Sequence, residues 1–213
     1  LSITLYTQSG GLDTIKPLIE AVTLTYSIPD HKIEMEFLPN DFTQVNFALN
    51  QKMINLAIGL LELNDQDSVL DLFCGLGNFT LPISKYVEKI VGIEGDKGLV
   101  ERAKANADAN GITNASFYKA DLSEDVSGSE WFRGQKYNKA LIDPARTGAI
   151  EIVELLPKLN IERLVYVSCN PSTLARDTAR LIELGFTLVS AGVMDMFPQT
   201  AHVESIALFT RKK

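Results

Sequence analysis

The sequence predicts an α/β fold: a mostly parallel sheet of seven strands with helices on both faces, an antiparallel strand at its end and a small N-terminal β element in front. Three observations predict it. From Thr43 onward, stretches with apolar residues at helical spacing alternate with short runs that are apolar almost throughout, as strands covered on both faces require. Gly111 and Gly185 stand where two of the helices must stop. The last two strand-like runs, 186–194 and 202–210, follow one another without a helix, as an antiparallel pair does.

The elements can be justified in order. Within residues 1–40 the runs 2–6, 22–26 and 32–37 alternate polar and apolar residues and are broken by Gly10-Gly11 and Pro29-Asp30. That is the pattern of a small antiparallel β element, read here as the tail of a preceding domain. Residues 41–213 form the main domain. Val45, Ala48, Leu49, Met53, Leu56, Ala57 and Leu60 place a helix over 45–61. A buried strand at 68–73, a helix at 79–86 and a strand at 89–94 follow. A helix over 97–110 leads to strands at 115–119, 139–142 and 163–168. A helix over 172–184 precedes the final strand pair.

Bulk properties narrow the function classes. Of 213 residues, 46% are apolar, yet no run approaches the roughly 20 needed to span a bilayer. No charged segment followed by an apolar one marks a secretory signal. The two cysteines, Cys74 and Cys169, are too far apart in sequence to suggest a disulfide framework or a metal cluster. A cytoplasmic protein with no membrane segment and no bound metal is expected. The net charge of −7 argues against a broad nucleic-acid surface, though not against a local basic groove. A start at Leu1 rather than Met suggests a piece of a longer protein.

Two constellations carry the chemistry. The first is Asp71-Leu72-Phe73-Cys74-Gly75-Leu76-Gly77-Asn78-Phe79-Thr80, which follows the first parallel strand and opens a helix. Gly75 and Gly77 allow a tight turn and a close ligand approach. Glu94, closing the next strand, can accept both hydroxyls of a ribose. Asp121 follows the third strand, where an adenine amino group would lie. The turn lacks the third glycine of the dinucleotide form, and Asp71 suits an ammonium or sulfonium rather than a pyrophosphate. Both details favour S-adenosylmethionine.

The second constellation is Tyr166-Val167-Ser168-Cys169-Asn170-Pro171, a thiol at the carboxyl end of a strand, where open α/β sheets place their chemistry. Asp143-Pro144-Ala145-Arg146 also follows a strand, and Glu204 lies in the last one. A thiol nucleophile and two carboxylates make a covalent-catalysis set if the fold unites them.

The segments 71–82 (DLFCGLGNFTLP), 143–146 (DPAR), 165–177 (VYVSCNPSTLARD), 194–209 (MDMFPQTAHVESIALF) and 37–46 (FLPNDFTQVN) together resemble the RNA uracil-C5 methyltransferases, and within them the type that modifies a uridine of 23S ribosomal RNA. The resemblance implies a Rossmann-like S-adenosylmethionine-dependent methyltransferase fold and an RNA substrate, ribosomal RNA first, with no obligate protein partner. It implies that Cys169 adds to C6 of the uracil, that C5 then takes the methyl group, and that Glu204 removes the C5 proton. It further implies that Gln44, Phe73, Asn78, Glu94, Asp121 and Asp143 line the cofactor site. Asp143 would also orient the uracil edge, and Phe42 would stack on a flipped base. Arg146 is a candidate for lowering the thiol pKa beside the substrate. Cys74 is read as structural, and His202 as either structural or a proton relay. The family's 23S type generally carries an RNA-binding domain and an iron-sulfur cluster on four cysteines. Both would lie upstream of Leu1 in a full-length protein.

Rival readings are an RNA cytosine-C5 methyltransferase, which would place a second cysteine where Asp143-Pro144-Ala145-Arg146 stands, and a non-catalytic S-adenosylmethionine- or RNA-binding fragment.

Overall fold

The computed structural model describes residues 6–8, 15–17, 24–200 and 203–212. Most of the run 2–6, the start of the run 22–26, and His202 lie outside them.

Two small antiparallel sheets come first: β1 (Tyr6–Gln8) with β2 (Ile15–Pro17), then β3 (Leu24–Ile28) with β4 (Ile33–Phe37). The main unit runs α1 (Phe47–Leu61), β5 (Ser68–Leu72), α2 (Thr80–Ser84), β6 (Lys89–Glu94), α3 (Lys97–Ala109), β7 (Ala115–Lys119), β8 (Lys139–Ile142), α4 (Ile150–Val153), β9 (Arg163–Ser168), α5 (Pro171–Glu183), β10 (Thr187–Met194) and β11 (Glu204–Thr210). Its seven strands lie in the order β10-β11-β9-β8-β5-β6-β7. β7, β6, β5, β8 and β9 are parallel, and β11 runs antiparallel to both its neighbours. The last strand in sequence is the antiparallel one, as expected, but in space it lies between β9 and β10 rather than at the rim.

Alternation along the strands builds two cores, one on each side of the sheet. Val69, Leu141, Val165 and Val167 face Met53, Ile54 and Leu61 of α1 and Val100 and Ala103 of α3. Leu70, Leu72, Ile142, Leu164 and Tyr166 face Ile152 and Val153 of α4 and Leu174 and Leu181 of α5. Because both faces are covered, the central strands are apolar at nearly every position, which is why they stand out in the sequence.

Local chemistry sets the element ends. α1 starts at Phe47, two residues later than the apolar spacing predicts, because the Asn46 side chain accepts from the Leu49 amide and caps the helix. α4 and a 3-10 turn over Leu156–Leu159 escape the periodicity because each is only one turn long.

The β3–β4 hairpin is fastened to the main unit by an unusual device. The outer edge of β4 offers its backbone to α3, where Asn110 receives the Glu34 amide and donates to the Glu34 carbonyl (2.9 and 2.8 Å). Asn106, one turn earlier, does the same with Glu36 (2.8 and 3.1 Å). Two side-chain amides thus stand in for a neighbouring strand. Among the described residues no helix is long and apolar enough to cross a membrane.

Candidate active site

The carboxyl ends of β5, β6, β8 and β9 open into one cavity of about 460 Å³, a size usual for small-ligand sites. Its wall includes Phe42, Gln44, Phe73, Gly75, Asn78, Glu94, Asp143, Arg146, Cys169 and Glu204. Ten sequence-derived candidates therefore converge on one space.

On one side the β5 turn shapes the wall. Phe73, Gly75 and Gly77 all adopt positive φ (65°, 54° and 93°). For Phe73 that conformation is costly, and such residues gather at functional sites. The turn is held by the Cys74 amide donating to the Ile93 carbonyl (3.0 Å) and the Gly75 amide donating to Glu94 Oε2 (3.1 Å). Asn78 is gripped from two elements: it exchanges amide hydrogen bonds with Asn50 of α1 and accepts from the Tyr26 hydroxyl of β3 (3.2 Å). Tyr26 also lines the cavity. Sequence reasoning missed it, having assigned β3 to another domain, and an aromatic in a short strand gave no signal of a site.

Asp71 lies fully buried beneath the turn. Its Oδ2 accepts from the Thr80 hydroxyl, while Oδ1 has no hydrogen-bond partner. Burial, reinforced by Glu94, pushes its pKa up to about 7. Asp71 is not among the wall residues, and neither is Gly77, where a Cβ would press on Leu81 at 3.1 Å. Asp121 stands apart too: it is exposed, and its carboxylate closes a turn with the amide and hydroxyl of Ser123 (3.0 and 2.6 Å), which hold its pKa down. Cys74 is buried against Gly92 and Phe117, its thiol pushed well above the usual range by burial.

The other side of the cavity carries the reactive set, and the sheet topology explains its assembly. β11 runs against β9 with Ser205 opposite Ser168, so the next residues outward, Glu204 and Cys169, come side by side. An antiparallel strand begins where its parallel neighbours end, which brings a residue late in the chain to the catalytic edge. Asp143 follows β8 and is tied by its amide to the Leu72 carbonyl (3.2 Å). Glu204 is buried and its pKa is raised by burial, with Arg146 opposing. Burial, then Glu204 and Asp71, pushes Asp143 up to about 7. Cys169 is partly exposed at the start of α5; burial, Glu204 and Asp143 raise its pKa, and Arg146 lowers it. Phe42, 74% exposed, stands at the mouth with its ring available to a planar partner.

The wall fits a nucleoside sulfonium. Glu94 can receive ribose hydroxyls, and Gln44 presents a buried Oε1 that lacks a hydrogen-bond partner, as a site awaiting a donor would. Of the described wall residues Arg146 is the sole cation, against Glu94, Asp143 and Glu204.

A mostly parallel sheet with one inserted antiparallel strand, a glycine turn after β5 and a cavity at the carboxyl edge places the chain among the open α/β folds that bind ligands at the ends of their strands. The chain belongs to the tRNA (uracil-5-)-methyltransferase family, whose model matches residues 14–212. It is 69% identical over 212 residues to the 23S rRNA (uracil(1939)-C(5))-methyltransferase RlmD of Vesicomyosocius okutanii subsp. Calyptogena okutanii (strain HA), covering 100% of this chain and 48% of the relative. It is 55% identical to the protein of the same name from Xanthomonas axonopodis pv. citri (strain 306), covering 98% of this chain and 47% of that one. The chain thus spans about half the length of these relatives. Its fold matches that of the Pyrococcus abyssi tRNA (uracil-54, C5)-methyltransferase in complex with S-adenosyl-L-homocysteine, with a TM-score of 0.79 at 24% identity over 97% of this chain and 50% of that chain.

Proposed function

We propose that this chain is the catalytic part of an enzyme that methylates C5 of a uracil in 23S ribosomal RNA, with S-adenosylmethionine as donor, through a covalent Cys169 adduct. The observation that supports it best is the strand register that sets Glu204 beside Cys169 at the rim of a cavity able to hold a nucleoside. When bound, S-adenosylmethionine supplies an electrophilic methyl group on a positively charged sulfur. Glu94, Gln44, Phe73 and Asn78 would hold it, with the Gly75 turn against it.

The reaction follows from what the remaining residues can do. C5 of uracil is a weak nucleophile. Cys169, losing its proton, adds its sulfur to C6; the C5=C6 π electrons move onto C5 and the C4 carbonyl, and C5 becomes nucleophilic toward the methyl group. Glu204 then takes the proton from C5. The electron pair re-forms C5=C6, and the C6–S bond breaks to return the thiolate. A carboxylate whose pKa is raised is the stronger base for this step. Asp143, near neutrality in its proton affinity, can donate to a uracil carbonyl or accept from N3–H. Phe42 at the mouth would stack on a base taken out of its RNA structure. An RNA substrate of this kind implies work in the cytoplasm.

The test is a 23S ribosomal RNA fragment bearing 5-fluorouridine at the uridine that the relatives' names number 1939. Fluorine leaves no proton for Glu204, so a complex stable to denaturation should accumulate, and peptide mapping should find the RNA on Cys169. Cys169→Ser should reduce methyl transfer to below about one thousandth. A Cys169→Ser protein that still methylates, or an adduct mapped elsewhere, would overturn the covalent reading. Glu204→Gln should form the adduct on ordinary RNA and release it slowly.

A further inference from the structure

Asn170, just after Cys169, caps α5 by accepting the Ser172 amide, and the side chains that follow converge on one target. Asn170 Nδ2 donates to the Arg146 carbonyl (2.9 Å), and the Thr173 hydroxyl lies 3.3 Å from the same oxygen. Arg176 Nη2 donates to the Thr147 carbonyl (2.9 Å). Asp177, fully buried, accepts the Ala149 amide on Oδ2 (2.8 Å), and Arg176 Nε donates to its Oδ1 (2.8 Å). Positions 170, 173 and 177 fall on one face of α5, so a single helix face holds the backbone of residues 146–149. Gly148 sits in the middle of this grip at φ 79°; a Cβ there would come within 2.5 Å of Arg176 Nη2 and 2.7 Å of Asp177 Oδ2. The Tyr166 hydroxyl donates to the same Asp177 Oδ2 (2.6 Å) and also meets the Ala149 amide, so it belongs to the grip on the loop.

We propose that α5 is a clamp: Arg176 and Asp177 are positioning residues that fix the 146–149 loop, and so hold the Arg146 guanidinium where it governs the reactivity of the Cys169 thiol. This deepens the proposed function and rests on Cys169 being its nucleophile. Cys169 faces Glu204 from β11 and Asp143 and Arg146 from the segment after β8. Two of these three groups are acids, and Arg146 alone favours a thiolate. Its backbone is held by the helix that Cys169 immediately precedes, next to the Asn170 cap, so nucleophile and cation are tied to one body. The side chains of Asn170, Thr173, Arg176 and Asp177 thereby acquire a use in the chemistry although none of them lines the cavity.

The experiment needs no RNA. The rate of iodoacetamide alkylation at Cys169, read by peptide mass so that Cys74 does not interfere, is followed against pH in the wild type, Arg146→Gln, Arg176→Gln and Lys139→Met. Arg146→Gln sets the full effect, an upward shift of the profile of about one pH unit, as loss of a nearby opposite charge gives. Arg176→Gln should move the profile in the same direction by a substantial fraction of that shift, and Arg176→Lys should restore part of it. Lys139→Met, which lowers thermal stability from the opposite end of β8 by unpairing Asp67 and touches neither the loop nor α5, should leave the profile where it was. An Arg176→Gln profile that superimposes on the wild type, or a Lys139→Met profile shifted as far as that of Arg176→Gln, would overturn the clamp. Either result leaves the 5-fluorouridine adduct as a separate test of Cys169 itself.

Discussion

The two ends of strand β8 treat charge in opposite ways. At its amino end Lys139 is mostly buried and fully served: its ammonium meets Asp67 Oδ2 at 2.6 Å and the Glu62 carbonyl. Asn138 and the Asn64 amide complete the shell of Asp67. Burial alone would raise the pKa of Asp67, but these hydrogen bonds and the Lys139 charge outweigh it and hold the group below its usual value. At the carboxyl end, four residues away, Asp143 has no such shell. Burial and the neighbouring acids Glu204 and Asp71 push it up to about 7. One edge of the sheet is arranged for stability and the other for reactivity, and the same short strand spans both. The amino-terminal rim is electrostatically closed, and the carboxyl-terminal rim keeps its acids open to a ligand.

Breaking the closed end should have the largest effect on the fold. Lys139→Met leaves the Asp67 carboxylate buried without its cation. The expected loss is about 3 kcal/mol, which for a chain of this length lowers Tm by roughly 6–12 °C. Calorimetry at pH 7 measures it. At pH 3, where Asp67 in the variant is protonated, the deficit should shrink. A variant as stable as the wild type at pH 7 would mean that the two rims do not differ as described.

The open end should respond with the opposite sign. Asp143 binds its proton more tightly folded than unfolded, so between about pH 4 and 7 the folded chain carries more protons than the unfolded one, and stability falls as pH rises through that window. Asp143→Asn removes the cost. The variant should be more stable than the wild type by about 1–2 kcal/mol at pH 8, and the gain should vanish near pH 4, where both proteins carry a neutral side chain. Denaturant titrations at the two pH values test this. Methyl transfer by the same variant should fall at pH 8, since a stabilised site is here a disarmed one.

Much of this contrast was legible in the sequence, and the exceptions have physical reasons. The central strands announced themselves because burial on both faces leaves few polar positions in them. Cys169, Asp143 and Glu94 could be singled out because strand ends are where parallel sheets expose side chains to a common cavity. Glu204 could be named from its motif but not placed, because its proximity to Cys169 depends on β11 inserting between β9 and β10, a pairing across many residues that local pattern does not encode. Asp121 was placed by strand arithmetic, which locates the end of β7 correctly but carries no information on which way a side chain there turns; the carboxylate turns toward Ser123. Tyr26 was missed because its role arises only when the hairpin docks. The α5 contacts were hidden similarly, since their partners are backbone groups of a distant loop.

Docking of that hairpin makes the smallest of these effects and the sharpest test of how far the site extends. The two asparagines of α3 treat β4 as a strand would, each meeting one amide and one carbonyl on its outer edge. The geometry orients β3 so that Tyr26 reaches Asn78 and closes the wall that Asn50 supports from α1. Asn106→Ala removes one pair of these bonds at a buried position, with an expected cost of about 1 kcal/mol. If the hairpin only rests on the domain, S-adenosylhomocysteine should bind the variant as it binds the wild type. If β3 is part of the wall, calorimetric titration should show affinity reduced by roughly twofold to fivefold, matched by Tyr26→Phe and not deepened when the two changes are combined, because both act through the Tyr26 hydroxyl that donates to Asn78.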